Sequence, residues 1–322
     1  MSAARIVVLD GATLDPGDNP WNRLGALGAL EVHAHSEPGE VVARAAGATV
    51  VVTNKAPVNA DIVAALPDLR FVAVTATGVN VVDLEATRAK GIVVSNVPVY
   101  GTDSVAQHAI GLLLELAIGI GEHARAVQEG EWVRSRDFSF WNRPLVEIAG
   151  LTLGIVGFGR IGRRVGELAN AFGMRVIATP PRGGGVAPPW SGFAWRRVEE
   201  LFREADVVSL HCALGPGTER FVDRALLATM KPTAWLLNTA RGGLVDEQAL
   251  ADALAAGVIA GAGLDVVSIE PMSPDNPLLA APRCIITPHN AWATLAARRR
   301  LMETTVENVR AFLAGRPVNV VG

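Results

Sequence analysis

Three polar residues stand out by type and by place: Arg241 in Asn238-Thr239-Ala240-Arg241-Gly242-Gly243, Glu270 at the end of the stretch from Asp265, and His289 in Thr287-Pro288-His289. Each follows an apolar, strand-like run, the position at which open α/β sheets present ligands. A guanidinium grips a carboxylate through two parallel hydrogen bonds and polarises the carbonyl beside it. An imidazole gives or takes a proton near working pH. A carboxylate against the other ring nitrogen fixes the tautomer and favours the charged ring. Together these suit hydride transfer to a short 2-oxo acid: Arg241 binds substrate and polarises it, His289 protonates the developing alkoxide, and Glu270 orients the imidazole.

Such chemistry needs a hydride carrier. Gly157-Phe158-Gly159-Arg160-Ile161-Gly162 follows a strand-like run, Leu153 to Val156, and opens a helix expected to reach about Phe172. In that setting the three glycines permit a tight turn, an approach of pyrophosphate to the backbone, and close helix–strand packing. The helix N-terminus offers unpaired N–H groups and a positive dipole end. Gly157, Gly159, Arg160, Ile161 and Gly162 are therefore cofactor-binding candidates, with Thr239, Ala240 and Asp265 beside the catalytic residues. The fingerprint normally carries an acid about twenty residues further on, bonded to the adenosine ribose. Here that place reads Ala178-Thr179-Pro180-Pro181-Arg182, without a carboxylate. Arg182 offers a forked cation for a ribose phosphate, so NADP(H) is expected over NAD(H).

The elements that must position these residues are α/β throughout. With 322 residues the chain is too long for one ordinary core and calls for two domains, with a cleft between them. Strand-like runs at Ile6 to Leu9, Thr49 to Thr53, Phe71 to Val74 and Ile92 to Ser95, with a weaker one near Val32, alternate with helical stretches that start at Asn19-Pro20 and Asn59. A long helix, about Thr102 to Val127, reads as a bridge between domains. Six more strands follow: Leu153 to Val156, Arg175 to Ala178, Val207 to Leu210, Trp235 to Leu237, Gly261 to Val266 and Ile285 to Thr287. A last helix, about Thr294 to Leu313, carries the strip Leu301, Thr305, Val309 and Phe312, expected to cover the N-terminal sheet. The expected boundaries are 1–101 with 290–322 for the substrate domain and 102–289 for the nucleotide domain. Pro180 to Pro189 reads as a surface loop.

Net charge is −3 with scattered basic residues, which points away from nucleic acid. Arg298-Arg299-Arg300 reads as a solvated helix face. Cys212 and Cys284 are the two cysteines, too few for a disulfide framework, and suit a reducing cytoplasm. Arg5 leads directly into a strand with no cleavage region after it. The apolar Val105 to Gly121 contains Gln107, His108 and Glu115, as in a buried helix rather than a membrane span. No histidine pair has helical metal-ligand spacing, so no metal site is expected, and His33, His35, His108, His123 and His211 read as structural or exposed.

The ordered motifs Gly157 to Gly162, Asn238 to Gly242, Gly263-Leu264-Asp265-Val266 with Glu270-Pro271, and Thr287-Pro288-His289 resemble the D-isomer-specific 2-hydroxy acid dehydrogenase family over nearly the whole chain. The resemblance implies a Rossmann domain inserted in a smaller flavodoxin-like substrate domain built from both chain ends, and a homodimer. It also implies that the loop at Thr77 and Gly78 places backbone N–H groups on the substrate carboxylate. Further stretches resemble the glycerate dehydrogenases, or hydroxypyruvate reductases: Thr53-Asn54-Lys55, Ala76 to Asp83, Tyr100 to Gln107, Asp137 to Trp141 and His289 to Thr294. That implies reduction of hydroxypyruvate or glyoxylate to D-glycerate or glycolate. The aromatics Trp132, Phe138, Phe140, Trp141 and Trp292 read mainly as packing residues, one or two of them reaching a partner subunit's cleft. Two alternatives stay open: a phosphite or other small-anion dehydrogenase of the same fold, and a dinucleotide-sensing, corepressor-like binding protein. Glu270, where formate enzymes are expected to carry Gln, argues against formate.

Overall fold

The computed structural model describes residues 4–181 and 183–322. The chain divides into two compact units, Met1–Gly101 with Trp292–Gly322, and Thr102–Ala291. The second division falls two residues after the expected one, because Asn290 and Ala291 give their amides to Asp265 within the second unit.

In the first unit β1 (Arg5–Val8), β2 (Ala29–Val32), β3 (Val50–Thr53), β4 (Phe71–Val74) and β5 (Val93–Ser95) form one parallel sheet in the order β2-β1-β3-β4-β5. Alternation along the strands divides the core. Val7, Val51, Val72 and Val94 face one side with Ile62, Val63 and Leu66. Ile6, Val8, Val50, Val52 and Phe71 face the other, covered by Leu301, Met302, Val306 and Val309 of the helix Leu295–Leu313. Phe71 and Phe312 stack with centroids 4.5 Å apart. Asn59 caps the helix Ala60–Ala65 through the Ile62 amide, and Thr294 caps the last helix through that of Ala297.

Two expectations fail here, both through burial of polar side chains. Asn19 does not cap a helix. The short helix Asn22–Gly25 starts after Trp21, while the buried Asn19 amide donates to the carbonyls of Leu14 and Arg298. Arg298 is not on a solvated face either: it is 7% exposed, paired with both oxygens of Asp18 and donating to the Leu14 carbonyl. Burying that guanidinium requires these partners.

The second unit holds β6 (Thr152–Val156), β7 (Arg175–Ala178), β8 (Ala194–Trp195), β9 (Val207–Leu210), β10 (Trp235–Asn238), β11 (Gly261–Leu264) and β12 (Cys284–Ile286), all parallel in the order β12-β11-β10-β9-β6-β7-β8. Read from the β8 edge this is the Rossmann order with one strand added beyond it. The two-residue β8 was not expected. It sits in an aromatic group where Phe158 meets Trp190, Phe193 and Trp195 at centroid distances of 5.4 to 6.0 Å.

The long helix is two helices, Thr102–Ile118 and Ile120–Gln128, bent by 59°. Gly119 between them takes a left-handed φ of 64°, which ends the first helix. The first packs its buried face on Arg160–Ala171 and on β10 and β11, where Gly263 admits Leu112. Among the described residues no single helix is long and apolar enough to cross a membrane.

Candidate active site

The turn after β10 is built by Asn238. Its side-chain amide donates to the Arg241 carbonyl at 2.8 Å, and its Oδ1 accepts from the Ala240 amide at 3.0 Å. The Arg241 side chain stays exposed, with Nη1 donating to the Ala240 carbonyl. Gly242 is buried, and a Cβ there would fall 1.9 Å from the Val267 carbonyl carbon. Only glycine therefore lets the Arg241 turn lie against the backbone of the loop that carries Glu270.

Beyond β12 the chain turns through Thr287-Pro288 into His289, which has a φ of 49°. Its amide donates to the Asp265 carbonyl at 2.8 Å, and its Nδ1 lies 2.7 Å from Glu270 Oε2. Glu270 Oε1 accepts from the Val267 amide at 3.3 Å. Both side chains of the pair are 31% exposed. An ionised carboxylate can only accept, so the hydrogen between them belongs to Nδ1, and proton exchange with a ligand falls to Nε2. The structure thus brings together the expected His289 and Glu270, and seats the Arg241 turn on the same loop.

Asp265, expected among the cofactor contacts, turns its carboxylate to the His289 loop. It is 1% exposed and accepts from Thr287 Oγ1 at 2.6 Å, the Asn290 amide at 3.0 Å and the Ala291 amide at 2.9 Å. His108 joins this group, with Nε2 2.9 Å from Thr287 Oγ1 and 3.5 Å from Asp265 Oδ1. From the sequence His108 reads as structural or exposed; in the structure it is half-buried and bonded to Thr287. The signal in the sequence is an imidazole set among the apolar Ala106, Ala109 and Leu112 of one helix.

The residues at the end of β6 fit a dinucleotide. Gly157 has a φ of 95°, and a Cβ on it would lie 2.5 Å from the Cys212 amide nitrogen. A Cβ on Gly162 would lie 2.3 Å from the Gly157 oxygen. Gly159 differs: it caps Arg160–Ala171 with, among the described residues, no heavy atom within 4 Å of its Cβ position, so these residues leave open space over the helix N-terminus. Arg160, exposed, and Ile161, half-buried, begin that helix. Thr239 Oγ1 is buried and, among the described residues, unpartnered, while Ala240 lies in the turn beside it. At the end of β7 no carboxylate appears. Thr179 Oγ1 accepts from the Gly157 amide at 3.0 Å, and Arg182 lies outside the described residues.

Two buried or half-buried groups near this turn have shifted acidities. Burial of His211 lowers its imidazole to about 4, and its Nε2 is 2.8 Å from Ser209 Oγ. Burial of Cys212 pushes its thiol upward. Among the described residues no group of three metal-binding side chains occurs.

In the first unit the loop after β4 is pinned by its neighbours. Thr77 Oγ1 donates to the Val97 carbonyl at 2.9 Å, and Asn96 donates to the Thr77 carbonyl at 2.7 Å. The Thr77 hydroxyl hydrogen is thereby engaged. Asp10, after β1, accepts from the amides of Asn54, Lys55 and Ala56.

The family model described as D-isomer specific 2-hydroxyacid dehydrogenase, NAD binding domain, matches residues 110–291. A hydroxypyruvate reductase of Blautia hydrogenotrophica is 47% identical over 98% of this chain and 99% of its own length. A glycerate dehydrogenase of Methylorubrum extorquens is 43% identical over 98% of each chain. Among solved structures, an NADPH-dependent glyoxylate/hydroxypyruvate reductase of Sinorhizobium meliloti in complex with NADP and malonate superposes with a TM-score of 0.83 at 30% identity, covering 100% of this chain and 97% of that one. With the fingerprint glycines and the paired His289 and Glu270 in place, the chain belongs to the D-isomer-specific 2-hydroxyacid dehydrogenase family, nicotinamide-dependent oxidoreductases that act on the hydroxyl group of 2-hydroxy acids.

Proposed function

We propose that the protein reduces hydroxypyruvate or glyoxylate to D-glycerate or glycolate, with NADP(H) favoured over NAD(H). The observation that carries the chemistry is the 2.7 Å contact from His289 Nδ1 to Glu270 Oε2, which reserves Nε2 for proton transfer. The hydride comes from the reduced nicotinamide when that is bound. Arg241 binds the substrate carboxylate and draws electron density toward the carbonyl oxygen. His289 Nε2 delivers the proton to that oxygen, and Glu270 stabilises the ring before delivery. Backbone amides of Thr77 and Gly78 take the remaining carboxylate contacts. When a dinucleotide is bound, Gly157, Gly159, Arg160, Ile161 and Gly162 would hold its pyrophosphate and Thr239 and Ala240 would contact it, while the buried Asp265 would act through the His289 loop.

The substrate assignment is supported by the names of the two relatives above, both nearly full-length matches. The cofactor assignment is supported by the missing acid after β7, where Thr179 stands, and by Arg182 in the sequence beyond it. The free Cys212 and Cys284 suit a reducing compartment, and the cytoplasm is the proposed location. A homodimer is proposed from the apolar residues Trp132, Val133, Phe138 and Trp141, which are 52% to 90% exposed within 10 positions of chain.

The test is a screen of short 2-oxo acids, and both enantiomers of the 2-hydroxy acids, with NADPH and NADH in parallel. Highest kcat/KM for hydroxypyruvate or glyoxylate with NADPH is expected. No turnover of any 2-oxo acid with either cofactor refutes the activity. A large preference for NADH refutes the cofactor choice alone.

A further inference from the structure

We infer that His108 is a positioning residue for His289, acting through Thr287 and Asp265. The inference rests on the proton-donor role proposed above. The Thr287 hydroxyl has a single hydrogen, and 2.6 Å away lies Asp265 Oδ1, on a carboxylate that can only accept. That hydrogen therefore goes to Asp265. The lone pairs of Thr287 Oγ1 are left to accept, and the donor is His108 Nε2 at 2.9 Å. The chain of bonds then has one direction, from His108 to Thr287 to Asp265.

Asp265 is the hub. Its carboxylate holds the amides of Asn290 and Ala291, the two residues after His289, and its carbonyl holds the amide of His289 itself. His289 needs this clamp, because its φ of 49° places a residue with a β-carbon in the left-handed region, where it stays only if its surroundings hold it. His108 comes from a helix packed into the core: its neighbours Ala106 and Ala109 are both 0% exposed. The donor at the far end thus ties the direction of the catalytic ring to a helix buried in the core.

Three variants test this. His108→Gln places an amide nitrogen where Nε2 stood and keeps the donor; His108→Asn is too short to reach; Thr287→Val removes the hydroxyl at nearly constant shape. His108→Asn and Thr287→Val are each expected to lower kcat about three- to tenfold, the scale of one neutral hydrogen bond, with nicotinamide affinity unchanged. His108→Gln should stay near the wild-type rate, and the double variant His108→Asn/Thr287→Val should be no slower than Thr287→Val alone. Amide hydrogen exchange read without substrate should quicken at His289 to Ala291 in His108→Asn and Thr287→Val, but not in His108→Gln. Unchanged exchange in His108→Asn, an equal loss in His108→Gln, or additive effects in the double variant overturns the inference. Should the wild type turn over no 2-oxo acid, the activity proposal fails, and the exchange measurement still decides the role of His108.

Discussion

Substituting alanine at Gly159 and at Gly162 should separate cofactor binding from folding, although the two sites are three residues apart. At Gly159 the backbone is extended, with φ −82° and ψ −159°, a conformation open to alanine, and among the described residues nothing lies within 4 Å of the added methyl. Restricting the unfolded chain stabilises by about 0.4–1 kcal/mol, and replacing glycine with alanine at an N-cap costs a similar amount. The net effect on stability is therefore within about 0.5 kcal/mol of zero. The methyl does, however, fill the open space over the helix N-terminus, where an anion would accept charge-assisted bonds of about 1.5–3 kcal/mol. Losing one of these weakens dinucleotide affinity by about ten- to a hundredfold. At Gly162 the methyl meets the Gly157 oxygen at 2.3 Å and Ile155 Cγ2 at 3.0 Å, so strand and helix must part. Overpacking costs about 1–3 kcal/mol, of which better helix propensity returns up to about 1. The net loss lowers the melting temperature by about 2–4 °C for each kcal/mol. Thermal melts without cofactor and fluorescence titration with NADPH read the two effects apart. Gly159→Ala binding NADPH as tightly as the wild type, or melting as early as Gly162→Ala, would refute the reasoning.

Other perturbations probe the remaining groups. His289→Ala should lower kcat by about 10²- to 10⁴-fold while leaving the dissociation constant for NADPH in place, as measured by titration and steady-state rates; Glu270→Gln, which keeps an acceptor but loses the charge, should cost about ten- to a hundredfold. Arg241→Lys should raise KM for the oxo acid and lower kcat together, because a single ammonium cannot reproduce the fork; a change in only one parameter would speak against a role in both binding and polarisation. His211 should make stability depend on pH. With its folded value near 4 against an ordinary 6.5, the unfolded chain binds the extra proton between those values. Its contribution is complete above about 6.5 and shrinks by up to about 3 kcal/mol as pH falls toward 4. Denaturant melts of His211→Gln should lack that part of the decline, and an identical decline in the variant would assign it to other groups.

Much of this fold was legible because its strands are short and, apart from β2, β8 and β12, almost wholly buried. Phe71–Val74, Arg175–Ala178 and Val207–Leu210 are compact apolar runs, and a run of that kind between helical stretches has few other places to go. Ala194–Trp195 offered no such run, and it is a strand only because β7 holds it at the sheet edge. The break at Gly119 was hidden by an apolar period that continues on both sides of it. In the site, His289 and Glu270 could be paired because each lies in the loop that follows a strand of a sheet of one direction, and parallel strands end at the same side. The positions of Asn19, Arg298 and His108 were not legible. Each is polar, and its place is set by a partner far along the chain: Arg298 for Asn19, Asp18 for Arg298 and Thr287 for His108. Hydrophobic patterning says which residues hide from water, but not which buried acceptor a polar side chain will find.

The helix Leu295–Leu313 has a consequence for the order in which the protein can be made. It is synthesised after all the other described elements, yet it helps to cover Ile6, Val8, Val52 and Phe71 and, through Arg298, is the mate of Asp18. Residues 4–101 therefore emerge from the ribosome as a sheet covered on that side only in part, by Leu14, Trp21 and Leu24. The stretch from Thr102 to Ala291 holds both faces of its own core, and it can close while the ends still wait for each other. A chain cut short before Leu295 would keep the nucleotide-binding half and carry a sticky, half-dressed partner beside it, a form that chaperones or aggregation would claim first.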